Sequence, residues 1–185
     1  LARMLSDQAT RHADRAAIVD GDKLLTYAEL ERAVVRLAKA LMAAGVKKDD
    51  LVVCWAPNSW RWAVLAHAVW RAGAVMVPIS SRLKIFEAGP LLEKTRARVL
   101  FTVAECAGIR FVDSLRQTYG AAKGDALFAG LPSLRHLVRL DLDHGSGADG
   151  EGFEDFVARG AAVSDADLAA RAAAAAGGEV CEVMF

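Results

Sequence analysis

Residues 51–78 read Leu51-Val52-Val53-Cys54-Trp55, then Ala56-Pro57-Asn58-Ser59, then an apolar stretch over 60–72, Gly73, and Val75-Met76-Val77-Pro78. Their order decides the fold. The first five residues form a continuous apolar run, as expected of a strand covered on both faces. Residues 56–59 are a loop whose Ser59 supplies a helix cap. The spacing predicts a helix over 60–72 closed by Gly73. Residues 75–78 are the next strand, and Pro78 ends its pairing because it has no N–H to donate. Strand, helix, strand is the unit of a parallel sheet with right-handed crossovers.

The same alternation continues downstream: helix over 87–95, strand over 98–103, helix over 111–119, strand over 136–140. Upstream, residues 1–12 read as a helix. Two short apolar runs, 17–20 and 24–26, flank Gly21-Asp22 and predict a hairpin. Thr26-Tyr27-Ala28-Glu29 is a capping box, in which each side chain satisfies a free N–H of the other residue. The helix it opens carries Leu30, Val34, Leu37 and Leu41 on one stripe and ends at Gly45. Residues 143–152 are Gly- and Asp-rich and are expected as a flexible loop. Helices are expected over 153–159 and 167–176, the second broken by Gly177-Gly178. Residues 180–185 open a further apolar strand that stops on Val183-Met184-Phe185, so the chain reads as cut there. Its first residue is Leu1, which also reads as a missing natural start.

Composition narrows the class. At roughly 100–200 residues per domain, 185 residues make one domain or part of a larger one. The hydrophobic fraction of 54% and charged fraction of 25% are ordinary for a folded protein, although 37 alanines thin the core. The net charge of zero divides into +1 over residues 1–50, +7 over 51–140 and −8 over 141–185. The basic middle is scattered along the chain, with no run that would serve a nucleic acid, so none is expected as a partner. The longest apolar stretches fall short of the ~18 residues of a membrane span. There is no basic and apolar leader. Three cysteines, Cys54, Cys106 and Cys181, are odd in number and lack metal spacing. They read as buried or inert thiols in a reducing, cytoplasmic compartment.

No motif declares a catalytic centre. Gly145-Ser146-Gly147-Ala148-Asp149-Gly150 matches a dinucleotide fingerprint, but that pattern works where glycines turn directly from strand into helix. Here Asp141, Asp143, Asp149 and Glu151 would repel a phosphate, and the helix starts late. A surface loop is the better reading. His67 lies on an apolar helix and reads as a packed side chain rather than a ligand. Asp141 and Asp143 would need further ligands to hold a metal. Trp55, Trp60, Trp62 and Trp70 read as core and boundary side chains.

The chain nevertheless resembles a family. Leu25-Thr26-Tyr27-Ala28-Glu29-Leu30 is similar to a signature near the start of adenylate-forming enzymes, the superfamily of acyl- and aryl-CoA synthetases, luciferases and peptide-synthetase adenylation domains. Other stretches fit in order: Asp14-Arg15-Ala16-Ala17-Ile18, Ala56-Pro57-Asn58-Ser59-Trp60, Arg71-Ala72-Gly73-Ala74-Val75-Met76-Val77-Pro78-Ile79 and the segment from Thr95 to Thr102. Leu131-Pro132-Ser133-Leu134 and Phe153-Glu154-Asp155-Phe156 resemble the variable stretch that follows. Ser80 departs from the Asn or Asp of many relatives.

The resemblance implies an α/β fold, the parallel-sheet, three-layer flavodoxin-like subdomain of the N-terminal domain, preceded by a small helix and hairpin. It implies that residues 1–185 are the N-terminal part of the AMP-binding domain, ending before the phosphate-binding loop. The parent enzyme would use ATP, magnesium and coenzyme A, with a carboxylic acid as substrate, and would act as an acyl-CoA synthetase of the fatty- or alicyclic-acid branch. The piece alone is expected to be inactive and to hold no cofactor tightly. Catalytic and metal residues are not expected within it. Arg110 is the one candidate binding residue, placed where some relatives set arginines against the 3′-phosphate of coenzyme A; the guanidinium fork suits phosphate. Apolar surface meant for the missing remainder predicts association, a homodimer included. Two alternatives stay open: a peptide-synthetase adenylation domain, and a free-standing flavodoxin-like binding module without catalysis.

Overall fold

The computed structural model describes residues 3–120, 127–147, 149–175 and 178–185. The elements in order are α1 (Met4–Arg11), β1 (Ala16–Asp20), β2 (Lys23–Thr26), α2 (Tyr27–Ala43), β3 (Leu51–Trp55), α3 (Trp60–Arg71), β4 (Val75–Ile79) and α4 (Ile85–Thr95). Then come β5 (Val99–Thr102), β6 (Glu105–Cys106), β7 (Ile109–Arg110), α5 (Phe111–Tyr119), β8 (His136–Arg139), β9 (Glu151–Gly152), α6 (Phe153–Ala158) and, after a 3₁₀ turn over Arg159–Ala162, α7 (Asp165–Ala173). They assort into two compact units. The first comprises Leu1–Asp49, Asn58–Val75 and Val157–Cys181, the second Asp50–Pro57, Met76–Phe156 and Glu182–Phe185.

The first unit is helical with a hairpin. β1 and β2 pair antiparallel, with Asp20 opposite Lys23 and the turn at Gly21-Asp22, as the sequence predicts. The capping box is formed: Thr26 Oγ1 accepts from the Glu29 N–H at 3.3 Å, and Glu29 accepts from the Thr26 N–H at 2.8 Å. Those bonds, the Thr26 backbone one first, hold the Glu29 carboxyl below its usual range. The stripe of Leu30, Val34, Leu37 and Leu41 is buried. Burying four such side chains contributes on the order of 6–12 kcal/mol before the entropy of ordering them is subtracted. Ser59 caps α3 through the Trp62 N–H at 3.2 Å, and the Asp20 carboxylate takes the Trp60 N–H at 2.8 Å.

The second unit is built on a five-stranded parallel sheet in the order β4-β3-β5-β8-β9. The continuous apolar runs at 51–55 and 99–102 are its central strands, buried almost throughout. Trp55 is fully buried, meets Phe111 edge-on at 4.5 Å and donates its Nε1–H to the Ser80 carbonyl. Buried Thr102 donates its hydroxyl to the Trp55 carbonyl at 2.8 Å, so its polar atom is satisfied. Phe101 and Phe156 meet edge-on at 5.5 Å.

Five features differ from the sequence reading. The strand expected over 180–185 is a single parallel bridge, Glu182 to Met76, closed by the Val183 N–H to the Met76 carbonyl. The next rung of that ladder needs an N–H from Pro78, which has none. Pro78 itself lies inside β4 rather than at its end. A short hairpin, β6–β7, follows β5, and β9 adds to the sheet beside β8. The last helix spans Asp165–Ala173; Ala176 and Gly177, where its end and its break were expected, lie outside the described residues.

Candidate functional site

In open α/β sheets ligands bind outside the carboxyl ends of the strands. At that end of the second unit, β5 finishes at Thr102 and the chain runs through the β6–β7 hairpin to α5. The hairpin turns on Ala107 and Gly108, both at positive φ, 51° and 77°, the geometry of the two-residue turns that match strand twist. The turn delivers Arg110 to the first position before α5.

Arg110, the candidate binding residue of the sequence reading, lies at the surface. Its side chain is 71% exposed and forms an ion pair with Asp113, one helical turn on, at 2.6 Å. Arg110 and Asp113 line a groove of about 370 Å³ with Lys84, Phe86, Ile109 and Ser114. Phe86 is strongly exposed. The groove therefore offers two cations, one carboxylate and an aromatic face. Lys84 and Phe86 come from the start of α4 and carry no sequence motif; only the fold brings them beside Arg110.

The other singled-out residues do not converge on a site. Asp141 takes the Arg139 guanidinium with both oxygens, at 2.7 and 2.9 Å, and the Ala104 N–H at 3.0 Å. These bonds outweigh partial burial and hold its carboxyl below the usual range. Among the described residues no three His, Cys, Asp or Glu side chains are grouped to hold a metal. In the glycine motif the Gly145 N–H donates to the Asp155 carboxylate at 2.6 Å, and that carboxylate also meets His144 Nδ1 at 2.8 Å. A dinucleotide phosphate would meet that carboxylate first. Ala148, within the motif, lies outside the described residues.

His67 is half-buried and edge-on to Trp70 at 5.1 Å, and burial lowers its pKa. Trp60, Trp62 and Trp70 are likewise half-buried, at the boundary of the core. Cys54, Cys106 and Cys181 are free thiols. Only Cys54 is buried, and burial pushes its thiol far up. No described helix is long and apolar enough to cross a membrane.

Comparison with known proteins agrees with the fold and the signature stretches. The family model described as AMP-binding enzyme matches residues 5–174. A 3-(7a-methyl-1,5-dioxo-octahydro-1H-inden-4-yl)propanoyl:CoA ligase of Mycobacterium tuberculosis is 37% identical over 172 residues, covering 93% of this chain and 31% of the relative. Triostin synthetase I of Streptomyces triostinicus is 44% identical over 77 residues, covering 42% of this chain and 15% of that protein. A solved Mycobacterium tuberculosis fatty acyl CoA synthetase superposes with a TM-score of 0.67 at 25% identity, covering all of this chain and 32% of that one. The chain thus spans about a third of the length of the CoA ligase it matches across most of its residues. On this match, and on a fold shared with the N-terminal domains of adenylate-forming enzymes, the chain belongs to the AMP-binding enzyme family and is similar to its acyl-CoA synthetases.

Proposed function

We propose that this chain is the N-terminal scaffold portion of an ATP-dependent acyl-CoA synthetase. The observation that carries the reading is the 37% identity to a CoA ligase over 93% of the chain. In the proposed reaction a carboxylate oxygen attacks the α-phosphorus of ATP, and pyrophosphate leaves. The sulfur of coenzyme A then attacks the acyl carbonyl carbon, AMP leaves with the bonding pair, and the thiol proton passes to solvent. The relative's acid, a propanoate on a fused bicyclic diketone, makes a bulky alicyclic carboxylic acid the first substrate class to try.

What this chain contributes is position. The fully buried Trp55–Phe111 contact and the Thr102 bond to Trp55 fix the ends of β3 and β5. The β6–β7 hairpin then presents Arg110. Arg110 is assigned the 3′-phosphate of coenzyme A, by its exposure and by the guanidinium's two-pronged match to phosphate. Asp113 must share or release it. Magnesium and the adenylation chemistry are assigned to the parent enzyme, and the 185 residues alone are expected to be inactive. The three free thiols support a reducing, cytoplasmic setting.

The test is acyl-CoA formation by the parent protein with ATP, magnesium and coenzyme A, read by mass spectrometry across alicyclic, fatty and amino acids. A thioester from an alicyclic or fatty acid supports the reading. Adenylation of amino acids alone favours the second reading, a peptide-synthetase adenylation domain, which the 44% identity to Triostin synthetase I over 77 residues supports.

A further inference from the structure

A cavity of about 430 Å³ lies within the second unit, beside the amino ends of the paired strands β5 and β8. The Arg110 groove is at the other end of that sheet, past the carboxyl end of β5. The volume falls within the roughly 300–1,000 Å³ of small-molecule sites. Leu92, Ala97, Leu100, Leu131 and Leu134 line the cavity and are all buried. Tyr119 joins its two walls: the Tyr119 carbonyl accepts the Gly130 N–H at 2.9 Å, and its hydroxyl donates to Glu93 at 2.9 Å. The segment from Phe128 to Leu134 is folded on itself, with the Leu131 N–H on the Phe128 carbonyl and the Leu134 N–H on the Leu131 carbonyl, each at 3.0 Å. Arg135 donates to the Pro132 carbonyl at 2.6 Å. The walls are held without a ligand, so little ordering is left to oppose binding.

Arg96 also lines the cavity and is its irregular member. It ends α4 in the left-handed region, at φ 48° and ψ 31°, where glycine or asparagine is usual. Glu93 stands three residues before it, the spacing of a helical ion pair. Glu93 takes the Tyr119 hydroxyl instead, and among the described residues no carboxylate pairs with Arg96. Backbone strain of this kind gathers at ligand clamps. Arg96 and Arg135 set two positive charges in the walls against the one of Glu93. We propose that this cavity binds a compact aliphatic monocarboxylic acid, its chain on the leucines and its carboxylate on the Arg96 guanidinium, with the Ser133 hydroxyl as a further donor. A neutral apolar molecule would leave Arg96 unused, an amine would meet its charge, and a dianion would meet Glu93. The inference goes beyond the proposed reaction and does not rest on Arg110.

The test is titration of the 185-residue chain with octanoate, octan-1-ol and octylamine, followed by NMR of the leucine methyl groups. Octanoate is expected to shift the Leu131 and Leu134 methyl signals saturably, and to bind about tenfold more tightly than the alcohol or the amine. Arg96→Gln should weaken octanoate by about tenfold, the loss of one charged hydrogen bond, and leave octan-1-ol unchanged. Arg96→Gly is the second variant: glycine takes the left-handed turn without strain, so the fold is kept while octanoate binding falls as in Arg96→Gln. Circular dichroism checks that both variants keep the wild-type spectrum. Equal affinity for octanoate and octan-1-ol would overturn the carboxylate assignment, as would unchanged octanoate binding in both Arg96 variants. Octanoate shifts confined to leucines outside the cavity, or no saturable shift at all, would overturn the site. None of these results bears on Arg110 or on adenylation by the parent enzyme.

Discussion

Arg71 holds Glu31 with both prongs of its guanidinium, each at 2.9 Å, and closes a ring through Ser6, which accepts from Arg71 at 2.8 Å and donates to Glu31 at 2.7 Å. The ring ties α1, α2 and α3 together, and the Arg71 side chain is only 9% exposed. Removing one partner strands the other's charge in a part-buried site. Arg71→Leu is expected to cost about 3 kcal/mol, the lower end for a buried pair because Glu31 keeps some water, measured by urea unfolding. Arg71→Leu with Glu31→Leu should recover part of it. A loss below about 1 kcal/mol would mark the ring as surface decoration.

Tyr119 fills the space beside two glycines. A Cβ on Gly130 would lie 2.6 Å from the Tyr119 ring, and one on Gly89 would lie 2.5 Å from its hydroxyl. That hydroxyl donates to Glu93 at 2.9 Å, and burial, then the Glu93 bond, raise its pKa. Gly130→Ala should therefore destabilise by about 1–3 kcal/mol, read as a lowered midpoint of thermal unfolding. Pairing it with Tyr119→Ala should shrink the increment, since the clash is with that ring.

His144 and Asp155 bind each other at 2.8 Å on the surface. The Asp155 bond and charge raise the His144 pKa; His144, then the Gly145 N–H, lower that of Asp155. A raised histidine contributes fully below its unfolded value and loses that contribution as pH rises through its folded one. A lowered carboxylate contributes above its unfolded value and loses that as pH falls through its folded one. The contact is thus strongest between the ordinary values of 3.8 and 6.5. Titrating the His144 ring by NMR should give a midpoint above 6.5 that falls back in Asp155→Asn.

In the parent enzyme, Arg110→Ala should raise the KM for coenzyme A about tenfold, the loss of one charged hydrogen bond, with kcat little changed. The KM for dephospho-coenzyme A should stay put. Equal loss with both thiols would mean that Arg110 meets no 3′-phosphate.

Legibility in the sequence followed locality. The β3 run at Leu51–Trp55 and the α5 stripe at Phe111–Tyr119 have the expected ends, because continuous hydrophobicity and helical period set them within the segment. The Thr26–Glu29 box is equally local. What escaped was decided from outside the segment. β9 is two residues long and exists because β8 offers a free edge. The β6–β7 turn puts Ala107 at φ 51°, without the Asn-Gly or Asp-Gly that signals such turns. Residues 180–185 read as a strand, but Pro78 leaves their ladder one rung short. The same holds for the candidate site: Arg110 was singled out through the family resemblance, whereas Lys84 and Phe86 share its groove only through the fold.

The most direct test of the central claim is pyrophosphate exchange. The parent protein is incubated with ATP, magnesium, labelled pyrophosphate and a bulky alicyclic or fatty carboxylic acid, without coenzyme A. An adenylate-forming acyl-CoA synthetase predicts label entering ATP only when the acid is present, and suppression of exchange once coenzyme A drains the adenylate. Absence of acid-dependent exchange across the panel would contradict the account.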